Sequence, residues 1–120
     1  MQTIIFDIDG VLLLNGRRTP LASLAASFLK TYHVVIVTSR AQDSGLLLVM
    51  LAAIDLGDCR LIMRPEDSVP SNAWKMKTIL ALAQEHEIAA VFEDNPSVLA
   101  ALSAAKVPIV PIYSGYYSRY

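Results

Sequence analysis

Cysteine occurs once, at Cys59, so no disulfide can close within the chain and a reducing compartment is the expected setting. Charge is sparse too: charged residues make up 18% of the chain and sum to -1, which gives no general attraction to nucleic acid or to a membrane surface. A local basic patch stays open as a possibility. Ser/Gly-rich, Pro-rich and repeated segments are missing, so neither a linker nor a low-complexity tail is indicated, and a single domain over residues 1–120 is expected. The longest uninterrupted apolar run, Gly45 to Ile54, is half of the about 20 residues a membrane-spanning helix needs, and reads as a helix inside a soluble fold. The first dozen residues have neither a basic start nor a small-residue cleavage site, which makes the cytoplasm the expected location and a membrane partner unexpected.

What is present is a hydrophobic content of 54%, distributed in alternating strand-like and helix-like segments. Thr3 to Asp9 reads as a first strand, followed by Asn15-Gly16 where a tight hairpin turn would sit. Thr19-Pro20 then reads as a helix start, with Leu21, Leu24, Ala25 and Phe28 at helical spacing as far as about Thr31. "HVVIVTSR" is a second strand ending at Thr38, and an apolar helix from about Ser44 to Leu56 is closed by Gly57. "CRLIMR" gives a third strand, and a helix capped by Ser71 or Asn72 runs to about Glu87. "IAAVFED" is a fourth strand, Asn95-Pro96 starts a last helix, and "VPIVPIY" is a fifth strand. Strict alternation with nearly unbroken apolar strands predicts an α/β, doubly wound (Rossmann-like) domain, a five-stranded parallel sheet with helices on both faces.

In such a sheet ligands gather at the carboxyl ends of the strands. The polar residues fall there: Asp7 and Asp9 after strand one, Thr38, Ser39 and Arg40 after strand two, Glu93 and Asp94 after strand four, and Lys75 or Lys77 in the first turn of a helix. Asp7 and Asp9 pose a physical problem, because a buried unpaired carboxylate costs several kcal/mol, on the order of a small domain's whole stability. A hard cation with oxygen ligands would supply the missing compensation.

Asp7-Ile8-Asp9-Gly10, Thr38, Lys75 and Glu93-Asp94, in this order over nearly the whole chain, resemble the four motifs of the haloacid dehalogenase (HAD) superfamily of phosphohydrolases. That resemblance implies a Mg²⁺-dependent phosphomonoesterase. Asp7 would be the nucleophile that forms an aspartyl-phosphate, and Asp9 the acid that protonates the leaving oxygen and then the base that activates water. Asp7, the Asp9 backbone carbonyl and Asp94 would hold the metal, with Glu93 orienting a neighbour or a metal-bound water. Thr38 would bond a phosphoryl oxygen, Lys75 would offset its charge, and Gly10, Ser39 and Arg40 would line the substrate. The stretch from Asp9 to Thr38 has room for a flap and one helix, and that from Thr38 to Lys75 for a helix and a strand, so a cap domain is not expected.

Within the superfamily the chain is most similar to the phosphatase domain of phage polynucleotide kinase/3′-phosphatases. Thr38 and Arg40 end a valine-rich strand and an "SG" pair follows the last strand, whereas Glu93 stands where that group has aspartate and a Walker A motif is absent. A phosphorylated nucleic-acid end is then one expected substrate, with Arg17, Arg18 and Arg40 around the entrance, and a nucleotide or other small phosphate ester the alternative. From other classes, a non-catalytic binding module with the same fold and a response-regulator receiver compete. The receiver would need adjacent acids after strand one, an aspartate after strand three and a lysine after strand five, where this chain has Asp7-Ile8-Asp9, Met63-Arg64 and Ile112-Tyr113. Because the helix at residues 45–54 is apolar all round, a second copy or a partner chain is expected to cover its outer face.

Overall fold

The computed structural model of the chain describes residues 1–41, 46–66 and 68–113. Ser44 and Gly45, where the second helix was expected to start, and the Ser114-Gly115 pair lie outside these residues. In chain order the elements are β1 (Thr3–Phe6), β2 (Leu13–Leu14), β3 (Arg17–Arg18), α1 (Pro20–Phe28), β4 (His33–Ala41), α2 (Leu46–Ala53), β5 (Arg60–Arg64), α3 (Ser71–Glu85), β6 (Ile88–Glu93), α4 (Pro96–Ala104) and β7 (Ile109–Pro111). Five strands form one parallel sheet in the order β5-β4-β1-β6-β7, and β2 and β3 form a separate antiparallel hairpin. This is the single Rossmann-like α/β domain that the alternation predicts, and the hairpin is the only insertion between β1 and α1.

β1 occupies the centre because both of its faces are apolar. Ile4 and Phe6, with Val34 and Ile36 of β4, pack toward Ala22 and Ala25 of α1 and Leu47 and Leu51 of α2. Ile5, with Val35 and Val37, packs on the opposite face toward Ile79 and Leu82 of α3 and Val98 and Leu102 of α4. Each large aliphatic side chain buried in this way contributes about 1.5–3 kcal/mol. The chain winds outward from β1 through β4 to β5, then returns to β6 and continues to β7, so the direction of winding switches beside β1. The crevice at that switch is where an open α/β sheet binds its ligands.

Several boundaries differ from expectation, each for a local reason. β1 stops at Phe6 instead of Asp9: the Ile8 carbonyl accepts bonds from the N–H groups of Val11, Leu12 and Leu13, which curls the chain into a loop, and Gly10 takes φ 83° within it. Asn15 (φ 52°) and Gly16 (φ 77°) both adopt left-handed backbone, as a two-residue hairpin turn requires. Thr19 caps α1 through Leu21 N–H, and Ala25 is buried as expected, yet Leu24, expected on the same stripe, is exposed and Ala22 is buried in its place. β4 runs on through Thr38 to Ala41. Asp55 (φ 63°), not Gly57, takes the left-handed position that ends α2, and Leu56 N–H returns to the Leu51 carbonyl. Gly57 has a different use, since a Cβ there would lie 3.3 Å from the Ala52 Cα. α3 starts after Pro70 with no side-chain cap, so neither Ser71 nor Asn72 plays that part. On α2, Leu48 and Val49 point to solvent.

Candidate active site

The sheet's parallel register brings the ends of β1, β4 and β6 to one rim. Asp7 follows β1 directly, its N–H still bonded to the Phe92 carbonyl of β6, so the first carboxylate is placed by the ladder itself. The Asp7 side chain is buried; its Oδ1 accepts from Ile8 N–H at 2.8 Å and from Lys75 Nζ at 2.7 Å. Lys75, only 2% exposed, reaches in from the second turn of α3 and also meets Glu93 Oε2 at 2.8 Å. Of the two helix lysines, Lys75 enters the cluster and Lys77 is exposed.

Glu93, 1% exposed, divides its oxygens between tasks. Oε2 faces Lys75, while Oε1 accepts from Asp94 N–H at 3.2 Å and Asn95 N–H at 3.1 Å, fixing the turn from β6 into α4. Asn95 then caps α4, accepting from the N–H groups of Ser97 and Val98, and its amide donates to Asn72 Oδ1 at 2.9 Å, tying the starts of α3 and α4 together. Asp7, Glu93 and Asp94 are all buried and can each place a carboxylate oxygen within 4.8 Å of the others.

Two of these carboxylates, Asp7 and Glu93, thus share one ammonium, and the crowding bears on Glu93. Burial pushes the Glu93 carboxyl up to about 8, the Asp7 charge adds to the rise, and Lys75 opposes it. Burial alone would lower the Lys75 pKa, but the Asp7 and Glu93 carboxylates outweigh it and hold the ammonium above the ordinary lysine range. An oxygen-rich, buried and overly negative cluster could bind a metal ion and matches what a hard divalent cation needs from its ligands. The Asp9 carboxylate is not in this cluster. It points to Arg40, whose Nε and Nη2 grip Oδ2 at 2.9 Å and Oδ1 at 2.8 Å in a two-pronged ion pair that is one-third exposed.

The remaining residues read from the sequence take varied places. Thr38 is fully buried at the β4 rim and its hydroxyl accepts from Arg40 N–H at 3.1 Å, which leaves the hydroxyl proton to donate. The Gly10 N–H is used within its own loop, donating to the Leu13 carbonyl at 2.7 Å. Ser39 takes part through its carbonyl, which accepts from Arg64 Nε at 2.7 Å. Arg64 was overlooked in the sequence; it also donates to the Val69 carbonyl at 2.8 Å and so staples the β5–α3 connection to the end of β4. Its position at the end of a strand was the available signal. Arg17 and Arg18 are exposed on the hairpin, with Arg18 donating to the Ser23 hydroxyl, and line a cavity of about 630 Å³ with Leu14, Asn15, Thr19 and Pro20. No residue of the carboxylate cluster lines that cavity.

Two solved structures share the fold. One is the Pnkp1/Rnl/Hen1 RNA repair complex, in which the similar chain aligns at a TM-score of 0.73 with 21% identity over 92% of this chain and 42% of that one. The other, a structure of the Pnkp1/Rnl/Hen1 complex, aligns at 0.79 with 21% identity over 92% of this chain and 45% of that one. The chain therefore spans less than half the length of the chains it matches. No protein-family model and no curated protein matches it. Among the described residues no helix is long and apolar enough to cross a membrane.

Proposed function

We propose that residues 1–120 form one capless HAD-type domain that hydrolyses phosphomonoesters through an aspartyl-phosphate on Asp7, with a phosphorylated nucleic-acid end as its substrate. The observation that carries this reading is the pairing of two differently treated carboxylates at one rim. Asp7 is buried and held on Oδ1 by Lys75 and Ile8 N–H, whereas Asp9, two residues on, is half-buried and held by Arg40. A nucleophile needs a fixed orientation; an acid–base group needs access to water and to the leaving oxygen. The similarity of fold to a chain of an RNA repair complex supports the nucleic-acid part. A hairpin, in place of a cap, between β1 and α1 leaves room for a large substrate.

In the first step Asp7 Oδ2 attacks phosphorus while the bond from phosphorus to the ester oxygen breaks, and Asp9, entering in its acid form with one oxygen released from Arg40, gives its proton to that departing oxygen. In the second, Asp9 takes a proton from water, the water oxygen bonds to phosphorus, and the acyl-phosphate bond breaks to return Asp7 and release inorganic phosphate. Thr38 Oγ donates to a phosphoryl oxygen, and Lys75 keeps the Asp7 carboxylate in place while offsetting phosphoryl charge. Mg²⁺, held by Asp7, Asp94 and the Asp9 carbonyl, would neutralise negative charge gathered at the phosphoryl group. Glu93 positions Lys75 and the β6–α4 turn.

Turnover of an aryl phosphate with and without Mg²⁺ tests the reading. Activity should need the metal and vanish in Asp7→Asn; undiminished turnover by folded Asp7→Asn would refute the mechanism. A higher kcat/KM for an oligonucleotide 3′-phosphate than for a mononucleotide 3′-phosphate would support the substrate class, and equal values would favour small phosphate esters.

A further inference from the structure

Lys77 is left over once Lys75 has entered the cluster. Two residues on, it is turned by about 200° around α3 and lies exposed, away from the face that buries Lys75, Ile79 and Leu82. It lines a groove of about 490 Å³ between α3 and the edge strand β5, together with Arg60, Ile62, Trp74, Thr78 and Glu85. Along α3, from Trp74 to Glu85, the groove extends about 16 Å at the helical rise per residue. Its upper end is the indole of Trp74, half-buried and adjacent in sequence to Lys75, whose Nζ lies 2.7 Å from Asp7. The groove therefore begins at the turn of α3 that carries Lys75 and runs along α3 beside the edge strand, away from the carboxylate cluster.

We propose that this groove holds the single-stranded body of a nucleic acid whose phosphorylated end sits at Asp7, one base stacking on Trp74 and the backbone passing Lys77 and Arg60. The inference deepens the proposed function and rests on it. An aromatic platform, an apolar floor formed here by Ile62 and Leu82, and cations along the margin are what strand binding without sequence preference uses. Two cations against the single carboxylate of Glu85 give the groove the sign a phosphate backbone needs. The chain as a whole, with a formal charge of -1, gives no such attraction.

Trp74 is the only tryptophan of the chain, so its fluorescence reports on the groove directly. Titration with a single strand of about ten nucleotides lacking any terminal phosphate should quench it saturably, and the midpoint should weaken severalfold between about 50 and about 200 mM salt. Lys77→Glu should weaken that midpoint about tenfold, the equivalent of one lost contact and a reversed charge. With a 3′-phosphate on the same strand, Lys77→Glu should lower the ratio of its kcat/KM to that of an aryl phosphate by a similar factor. No saturable quenching by the strand overturns the proposal. So does quenching that is indifferent to salt and to Lys77→Glu, or saturable quenching by an apolar peptide and not by the strand, which would assign the groove to a protein partner. Failure of the catalytic reading looks different: no aryl phosphate turnover, with the quenching intact, would sink the phosphatase and leave strand binding standing.

Discussion

Replacing Lys75 with methionine keeps the side chain's length and removes its charge, leaving Asp7 and Glu93 facing each other in a buried site. Breaking a buried pair in this way costs about 3–5 kcal/mol, because the partners lose their compensation while remaining desolvated. For a domain of this size that is a fall in Tm of about 10–20 °C. The loss should depend on pH, and its sign follows from Glu93. In the fold Glu93 keeps its proton to about 8, whereas the unfolded chain releases it near 4.5, so the native state binds more protons across that window. Stability from this group therefore falls as pH rises from about 4.5 to about 8 and is flat above. Lys75 pulls the Glu93 pKa down, so in Lys75→Met the fall continues to higher pH. Above pH 8 the gap between wild type and variant should widen by up to about 1.4 kcal/mol per unit. Urea unfolding of both proteins with chelator present, at pH 6 and pH 9, measures it. A loss below about 1 kcal/mol, or one identical at the two pH values, would refute the idea that Lys75 compensates these carboxylates.

Magnesium binding at pH 7 should release a proton, since Glu93 is protonated there and a cation among the carboxylates favours the ionised form; calorimetry in buffers of different ionisation enthalpy detects it, and no proton release would count against the cluster as the metal's seat. Asp9→Asn should slow an alkyl phosphate far more than a nitrophenyl phosphate, whose leaving group needs no proton; equal losses on both would remove Asp9 as the acid. Arg40→Lys keeps a cation but cannot grip both Asp9 oxygens, so kcat/KM should drop about tenfold or more, and a wild-type value would show that the fork is dispensable. Asn95→Ala removes the α4 cap and the link to Asn72, and should cost about 1–2 kcal/mol in urea unfolding, with no loss marking the cap as redundant.

That Asp7, Thr38 and Glu93-Asp94 meet at one rim was legible in the sequence because it depends on strand order and on where apolar runs stop, both of which alternate cleanly here. Their rim position survived the shifts in strand ends, β1 stopping at Phe6 and β4 running on to Ala41. The lysine needed helix phase: two residues separate Lys75 from Lys77, and only the start of α3 after Pro70 decides which faces the sheet. The grip of Arg40 on Asp9 was not legible, because it joins loops after two different strands and depends on side-chain direction across the rim. Neither was the end of α2, where an aspartate accepts a left-handed backbone that glycine was expected to take. Leu24 shows the limit of periodicity on a short helix, since the buried positions of α1 are Ala22 and Ala25, of which only Ala25 was on the expected stripe.

β1 is paired on both sides, by β4 and by β6, and Asp7 hangs from its last rung. Fraying of a parallel sheet starts at its margins, here β5 and β7, and reaches the middle strand only when the domain opens as a whole. The amides of Ile4, Ile5 and Phe6 should accordingly exchange with solvent deuterium through global opening alone. The nucleophile of the proposed mechanism thus shares the lifetime of the folded state: loss of the proposed activity on heating should coincide with loss of the sheet, with no temperature range in which an intact fold carries a dismantled site.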